Sequence, residues 1–182
     1  MSHAYKFRDQ DRPYFVTFTT IRWLDVFTRR CYSDIVVDSL AHCIKEKGLI
    51  LFAWVIMTNH VHLAMGTEGD PMQAILRDLK KFTSKKIYKT IVEHPAESRK
   101  EWLVWAMERE GKYNVNNWNI QFWQQGNHPI ELHSPALMKQ KIEYIHHNPV
   151  KAGFVSCPEH YLYSSAYDYA GGTGLLPIVH AI

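Results

Sequence analysis

Residues 49–65 read LILFAWVIMTNHVHLAM, and their patterning decides the architecture. Residues 49–57 form a continuous apolar run, too short for a typical helix, and read as a buried strand. Thr58-Asn59 supplies turn chemistry. Residues 60–65 (HVHLAM) then return as a second strand. Successive strand side chains alternate faces, so His60 and His62 share one face while Val61 points into the core. Their Cα atoms should lie roughly 6.6 Å apart. Two imidazoles at that separation can converge on one metal ion at about 2.0–2.2 Å each. A His-x-His triplet also arises by chance in a chain with eleven histidines, and two imidazoles need a third ligand to make a good site.

Outward from this hairpin, residues 14–20 (YFVTFTT) alternate as a strand, with Tyr14, Val16 and Phe18 on one side and Phe15, Thr17 and Thr19 on the other. Residues 33–47 read as a helix, with Ser33 as N-cap, Asp34 in the first turn and Gly48 closing it. Pro71 opens a second helix to about Tyr88, with Ile75, Leu79 and Phe82 as its apolar stripe. Residues 91–118 read as a helical insertion, helical over 96–110 and then a loop marked by Asn114, Asn116 and Asn117. Residues 119–124 (NIQFWQ) read as a short strand. A last helix starts at Ser134-Pro135 and stops near Asn148, because the residue before Pro149 is pushed out of the α region. The tail 158–182 is aromatic, then Gly-rich, and promises little regular structure. The order β-α-β-β-α-(insert)-β-α implies a ferredoxin-like α+β sandwich, an antiparallel sheet with helices on one face.

The 182 residues suit a single domain, 1–182. With 46% hydrophobic and 21% charged residues, bulk disorder is excluded. No apolar run reaches about eighteen residues, which excludes a membrane-spanning helix. The polar first twelve residues argue against a signal peptide. Cys31, Cys43 and Cys157 are odd in number and widely spaced, as expected of a reduced cytoplasmic protein.

The last helix carries a second signal. Met138, Ile142 and Ile145 form its core stripe, while Lys141, Tyr144 and Asn148 share a neighbouring one. A phenol, an amide oxygen and an ammonium thus line one edge of the core. Tyrosines at helix edges more often pack with the hydroxyl in water.

Together the strings WVIMTNHVHLAM (54–65) and EYIHHNPVKAGFV (143–155) resemble the two signature blocks of the single-tyrosine HUH transposases, and most closely their REP-associated branch. FWQQGNHPIEL (122–132) and YLYSSAYDY (161–169) also look like family blocks. The resemblance spans roughly 5–90 and 119–175; the stretch 91–118 does not align with compact members. It implies the paired histidines on a central strand, Tyr144 as nucleophile, and Mg²⁺ or Mn²⁺ held by His60, His62 and Asn148. The implied reaction is cleavage and rejoining of single-stranded DNA at hairpin-flanked sites, through a 5′-phosphotyrosine and a free 3′-OH. The bond energy kept in that link permits strand transfer without ATP. Insertion-sequence relatives act as homodimers, whereas REP-associated members can act alone.

A single-stranded or hairpin DNA partner fits the charge pattern. Arg77, Lys81, Lys85 and Lys89 recur at i+4, Lys80 and Lys86 widen the stripe, and only Asp78 offsets it. Most such charge runs are merely solvated faces. Trp118, Phe122 and Trp123 are candidates for base stacking, although core packing explains Phe122 and Trp123 equally well. Arg8 and Arg12 are further phosphate candidates. The rival readings are a relaxase or replication initiator of the same chemistry, a domesticated protein that only holds DNA hairpins, and an RNA-binding sheet. The last lacks an evident aromatic RNP pattern. A His-x-His hydrolase barrel needs about 250 residues.

Overall fold

The computed structural model describes residues 7–113 and 119–181. Four strands, β1 (Tyr14–Thr19), β2 (Leu49–Ile56), β3 (His60–Thr67) and β4 (Ile130–Glu131), form one antiparallel sheet in the order β2-β3-β1-β4. The main helices are α1 (Arg30–Lys47), α2 (Met72–Glu93), α3 (Lys100–Lys112) and α4 (Pro135–Lys151), followed by a short α5 (Ala166–Tyr169). This is the split β-α-β arrangement of the ferredoxin-like fold. The histidine-bearing β3 is central, flanked by β1 and β2.

Strand alternation divides the molecule into two cores. Val16 and Phe18 of β1 and Val61, Leu63 and Met65 of β3 face α1 and α2, where Val36, Leu40, Ile75 and Leu79 complete the packing. Phe15, Ala53, Val55 and Ala64 face the other way, onto Met138, Ile142 and Ile145 of α4. The two crossover helices therefore cover one face, as expected. The opposite face is covered as well, by α4, so helices lie on both sides of the sheet.

Several boundaries depart from the sequence reading. Helix α1 begins at Arg30, with Arg29 at the N-cap, so Ser33 lies inside the helix and is buried. Gly48 does close it, at φ 71°, where a Cβ would meet the Gly69 backbone. Helix α2 runs on to Glu93, and Phe82 faces solvent while Ile75, Leu76, Leu79 and Ile87 are buried. Residues 119–124 contribute a single bridge, Thr20 to Trp123. The fourth strand is instead Ile130–Glu131, paired with Phe15 and Tyr14. Helix α4 continues through Pro149 to Lys151. Pro149 is buried on the same stripe as Met138, Ile142 and Ile145, so packing offsets the lost N–H. The Asn114–Asn117 loop lies outside the described residues.

The tail is more ordered than its composition promised. It runs along β2, with Ser164 bridged to Val55, the Tyr163 carbonyl accepting from Ile56 N–H, and Val179 N–H donating to Leu51. It thereby covers what would otherwise be an open sheet edge. The thiols of Cys31, Cys43 and Cys157 are free. Among the described residues, no helix is long and apolar enough to cross a membrane.

Candidate active site

The site lies on the α4 side of the sheet. Registers place Thr17 opposite His62 and Thr19 opposite His60 on β1, with Val55 opposite His62 on β2. The two imidazoles come within 4.7 Å, centroid to centroid, at 68°. Phe15 stacks on His62 at 5.3 Å.

Each imidazole is oriented by a neighbour that the sequence reading did not single out. Nδ1 of His60 lies 2.7 Å from the Asn59 side-chain oxygen. That oxygen only accepts, so the His60 proton sits on Nδ1, and the Asn148 side chain stands within hydrogen-bonding reach of the same imidazole. Nδ1 of His62 lies 2.7 Å from the Thr17 hydroxyl. Nε2 of His62 is buried and has no hydrogen-bond partner. A buried polar atom without a partner calls for an explanation. A coordinated cation would supply one, because a metal-binding imidazole needs a free nitrogen and a second one held by a hydrogen bond. Burial, reinforced by His60 and Lys141, lowers the His62 pKa to about 3. Burial also lowers that of His60, and the Asn148 side chain opposes the shift. Both rings thus favour the neutral form that metal ligation requires.

Helix α4 brings the remaining groups. The Tyr144 ring stands 5.3 Å from His62 and 5.9 Å from Phe15, and is 40% exposed. Asn148, one turn on, donates its amide N–H to the Tyr144 carbonyl at 3.3 Å. Its side-chain oxygen remains as an acceptor. The described residues contain no group of three His, Cys, Asp or Glu placed to hold a metal. A third protein donor beside the two histidines would therefore be an amide oxygen such as that of Asn148. Two ammonium groups flank the tyrosine ring, Lys151 at 5.5 Å and Lys141 at 5.7 Å. Lys151 is present only because α4 runs past Pro149, which puts it on the same stripe as Tyr144 and Asn148.

The expected DNA-binding residues are not gathered here. Arg77, Lys81, Lys85, Lys86 and Lys89 are exposed on α2, whose apolar side packs on the opposite sheet face. Arg77 pairs with Asp78 at 3.0 Å and Lys89 with Glu93 at 3.7 Å. Lys80 turns inward. Its ammonium donates to the Gln124 and Gly126 carbonyls and to Asn127 Oδ1 at 2.9, 3.1 and 3.0 Å. Arg12 lies before β1, at the end of that strand far from His60, and pairs with Asp9 at 3.6 Å. Phe122 and Trp123 are buried against Phe27, so neither presents a face to a base. Trp118 lies outside the described residues.

No family model matches the sequence, and no curated protein matches it. Among solved structures, the fold is similar to that of a REP-associated tyrosine transposase bound to a REP hairpin. The TM-score is 0.66 at 16% identity, over 100% of this chain and 94% of the other. The fold, an antiparallel four-stranded sheet with helices, is thus shared with that transposase over the full length of this chain.

Proposed function

We propose that this protein is a REP-associated type of tyrosine transposase that nicks and rejoins single-stranded DNA at hairpin-flanked sites, with Tyr144 as nucleophile. The observation that carries the reading is the unpartnered, buried Nε2 of His62 beside the half-exposed Tyr144 ring. The shared fold adds support, since the matched transposase was solved with a hairpin bound.

The residues present fit a divalent cation, Mg²⁺ or Mn²⁺, through His60, His62 and Asn148. When bound, such an ion neutralises charge on the scissile phosphate. The chain's own groups do the rest. Thr17 and Asn59 hold the imidazoles in place. The Tyr144 oxygen attacks phosphorus, forming the Tyr–O–P bond as the bond to the 3′ oxygen breaks. The phenol proton leaves, and the departing 3′ oxygen takes one up. A phenol is a weak nucleophile below its ordinary pKa of about 10. Lys141 and Lys151, beside the Tyr144 ring, attract the phosphate. Attack by a 3′-OH on the phosphotyrosine reverses the step and joins strands.

The test is incubation with Mn²⁺ and labelled hairpin DNA from the flanks of the protein's own gene, followed by a denaturing gel. Wild type should form a covalent adduct and Tyr144→Phe should form none. Salt-sensitive hairpin binding without any adduct would favour a domesticated binder instead.

A further inference from the structure

With Phe122 and Trp123 in the core, the exposed tryptophans lie elsewhere. On α3, Trp102, Trp105, Arg109 and Lys112 follow one another at helical spacing and form a single stripe. The other side of α3, Leu103, Ala106, Met107 and Gly111, is buried. Trp102 and Trp105 remain 52% and 47% exposed, so packing among the described residues does not account for them. Two guanidinium groups lie over the Trp105 ring, Arg109 at 5.1 Å and Arg22 at 5.6 Å. Of the three acids of α3, Glu101 is exposed in its first turn, and the two nearer Arg109 and Lys112 are engaged. Glu110 accepts from Arg22 at 2.7 Å, and Glu108 accepts from the Tyr88 hydroxyl at 2.6 Å. Arg109 and Lys112 form no ion pair among the described residues, and they border a shallow depression of ≈ 220 Å³ beside Trp105.

A second observation concerns the turn after β1. Arg22 and Trp23 both adopt left-handed backbone, at φ 49° and 56°. Non-glycine residues seldom do so, least of all two in succession. The conformation is held by Asn59, whose amide donates to the Trp23 carbonyl at 3.3 Å, and it leaves the Trp23 indole 61% exposed. Asn59 is also the residue that fixes His60. One side chain therefore links this surface to the candidate metal ligands.

We propose that Trp23, Trp102 and Trp105, with Arg22, Arg109 and Lys112, form a stacking platform for unpaired nucleotides of the single-stranded DNA flank. The inference rests on the DNA-processing reading above and adds a second DNA surface to it, built by α3 and the turn after β1. Aromatic faces take up bases without regard to sequence, and adjacent cations meet the phosphates. The alternation of flat apolar rings with cations, of which Arg109 and Lys112 form no ion pair among the described residues, matches a polyanion with stackable faces.

The experiment is titration of the full-length protein with the oligonucleotide dT12, read by quenching of tryptophan fluorescence at several salt concentrations. Melting temperatures verify each variant's fold. Trp105→Ala should weaken binding about tenfold or more, and Trp105→Phe should restore most of it. Arg109→Gln should flatten the salt dependence, which keeps the proposal testable if the alanine variant does not fold. Wild type that fails to bind dT12, or Trp105→Ala that binds as wild type does, overturns the platform. So does a wild-type dimer that Trp105→Ala dissolves at unchanged dT12 affinity, which would assign the surface to a second copy. The Tyr144 adduct assay runs beside it. Trp105-dependent binding without an adduct would sink the catalytic reading and leave the platform standing; an adduct without Trp105-dependent binding would do the reverse.

Discussion

Thr17 and His62 face each other across the β1–β3 ladder, with the threonine hydroxyl 2.7 Å from Nδ1 of the imidazole. That contact fixes the ring while its other nitrogen stays buried and unpartnered. Removing such an orienting partner typically costs 10–100-fold in metal affinity. Thr17→Val should therefore weaken Mn²⁺ binding by about tenfold or more, at nearly unchanged melting temperature. Calorimetric titration of wild type and variant checks it, and equal affinities would refute the orienting role.

Lys151 lies 5.5 Å from the Tyr144 ring, on the exposed edge of α4. Lys151→Gln removes a charge without touching the core. Adduct formation at saturating DNA should slow by about tenfold, less than the ~10²–10³ that a donor aimed at the transition-state oxyanion supplies, while the protein melts as before. An unchanged rate would remove Lys151 from the chemistry.

Exposed cations on α2 lie behind the sheet, so they should bind DNA without affecting the reaction. Replacing Lys81, Lys85 and Lys89 with Gln should lower the slope of log affinity against log salt by about 2. The adduct rate at saturating DNA should stay constant. A slope that does not move would mean that the stripe is only a solvated face.

Glu97 ties the start of α1 to the approach to α3. Its buried carboxylate accepts from Arg29 at 2.7 Å, from the Tyr32 hydroxyl at 3.0 Å and from the Arg99 backbone and side chain, each at 3.1 Å. Burial alone would raise its pKa, but Arg99 and Tyr32 outweigh burial and hold it at about 2. A carboxyl depressed on folding adds stability that is complete above its unfolded value and is lost as pH falls towards 2. Glu97→Gln should cost about 3 kcal/mol at pH 7. The gap in melting temperature should narrow steadily below pH 4.5, the ordinary carboxyl value. A gap that stays constant down to pH 2 would contradict the linkage.

The reach of sequence reasoning differed from residue to residue for physical reasons. The pairing of His60 with His62 follows from strand periodicity alone, and the two strands carrying it are long and unambiguous. Tyr144 and Asn148 were legible as one helical stripe. Lys151 was not, because the rule that proline ends a helix takes no account of a buried Pro149. For Phe122 and Trp123 the sequence left base stacking and core packing both open, since a single bridge to Thr20 leaves no periodic trace. The real fourth strand, Ile130–Glu131, is too short to show alternation at all. Lys80 keeps the i+4 spacing of its neighbours, and only the fold reveals the carbonyls of 124–126 that draw it inward. Thr17 and Asn59 had a usable signal: one sits in register with His62, and the other directly precedes His60.

Strand β3 separates two compartments with a single row of residues. His60 and His62 look toward α4, while Val61, Leu63 and Met65 look toward α1 and α2. Saturation mutagenesis of this row should therefore read like a two-stroke rhythm. Polar changes at 61, 63 and 65 should deplete folded protein, whereas changes at 60 and 62 should spare its abundance and silence its chemistry. An insertion of one residue would exchange the two sets and forfeit both at once. Evolution has little room to tune one wall of such a partition without disturbing the other, so diversification is left to the surfaces that flank it.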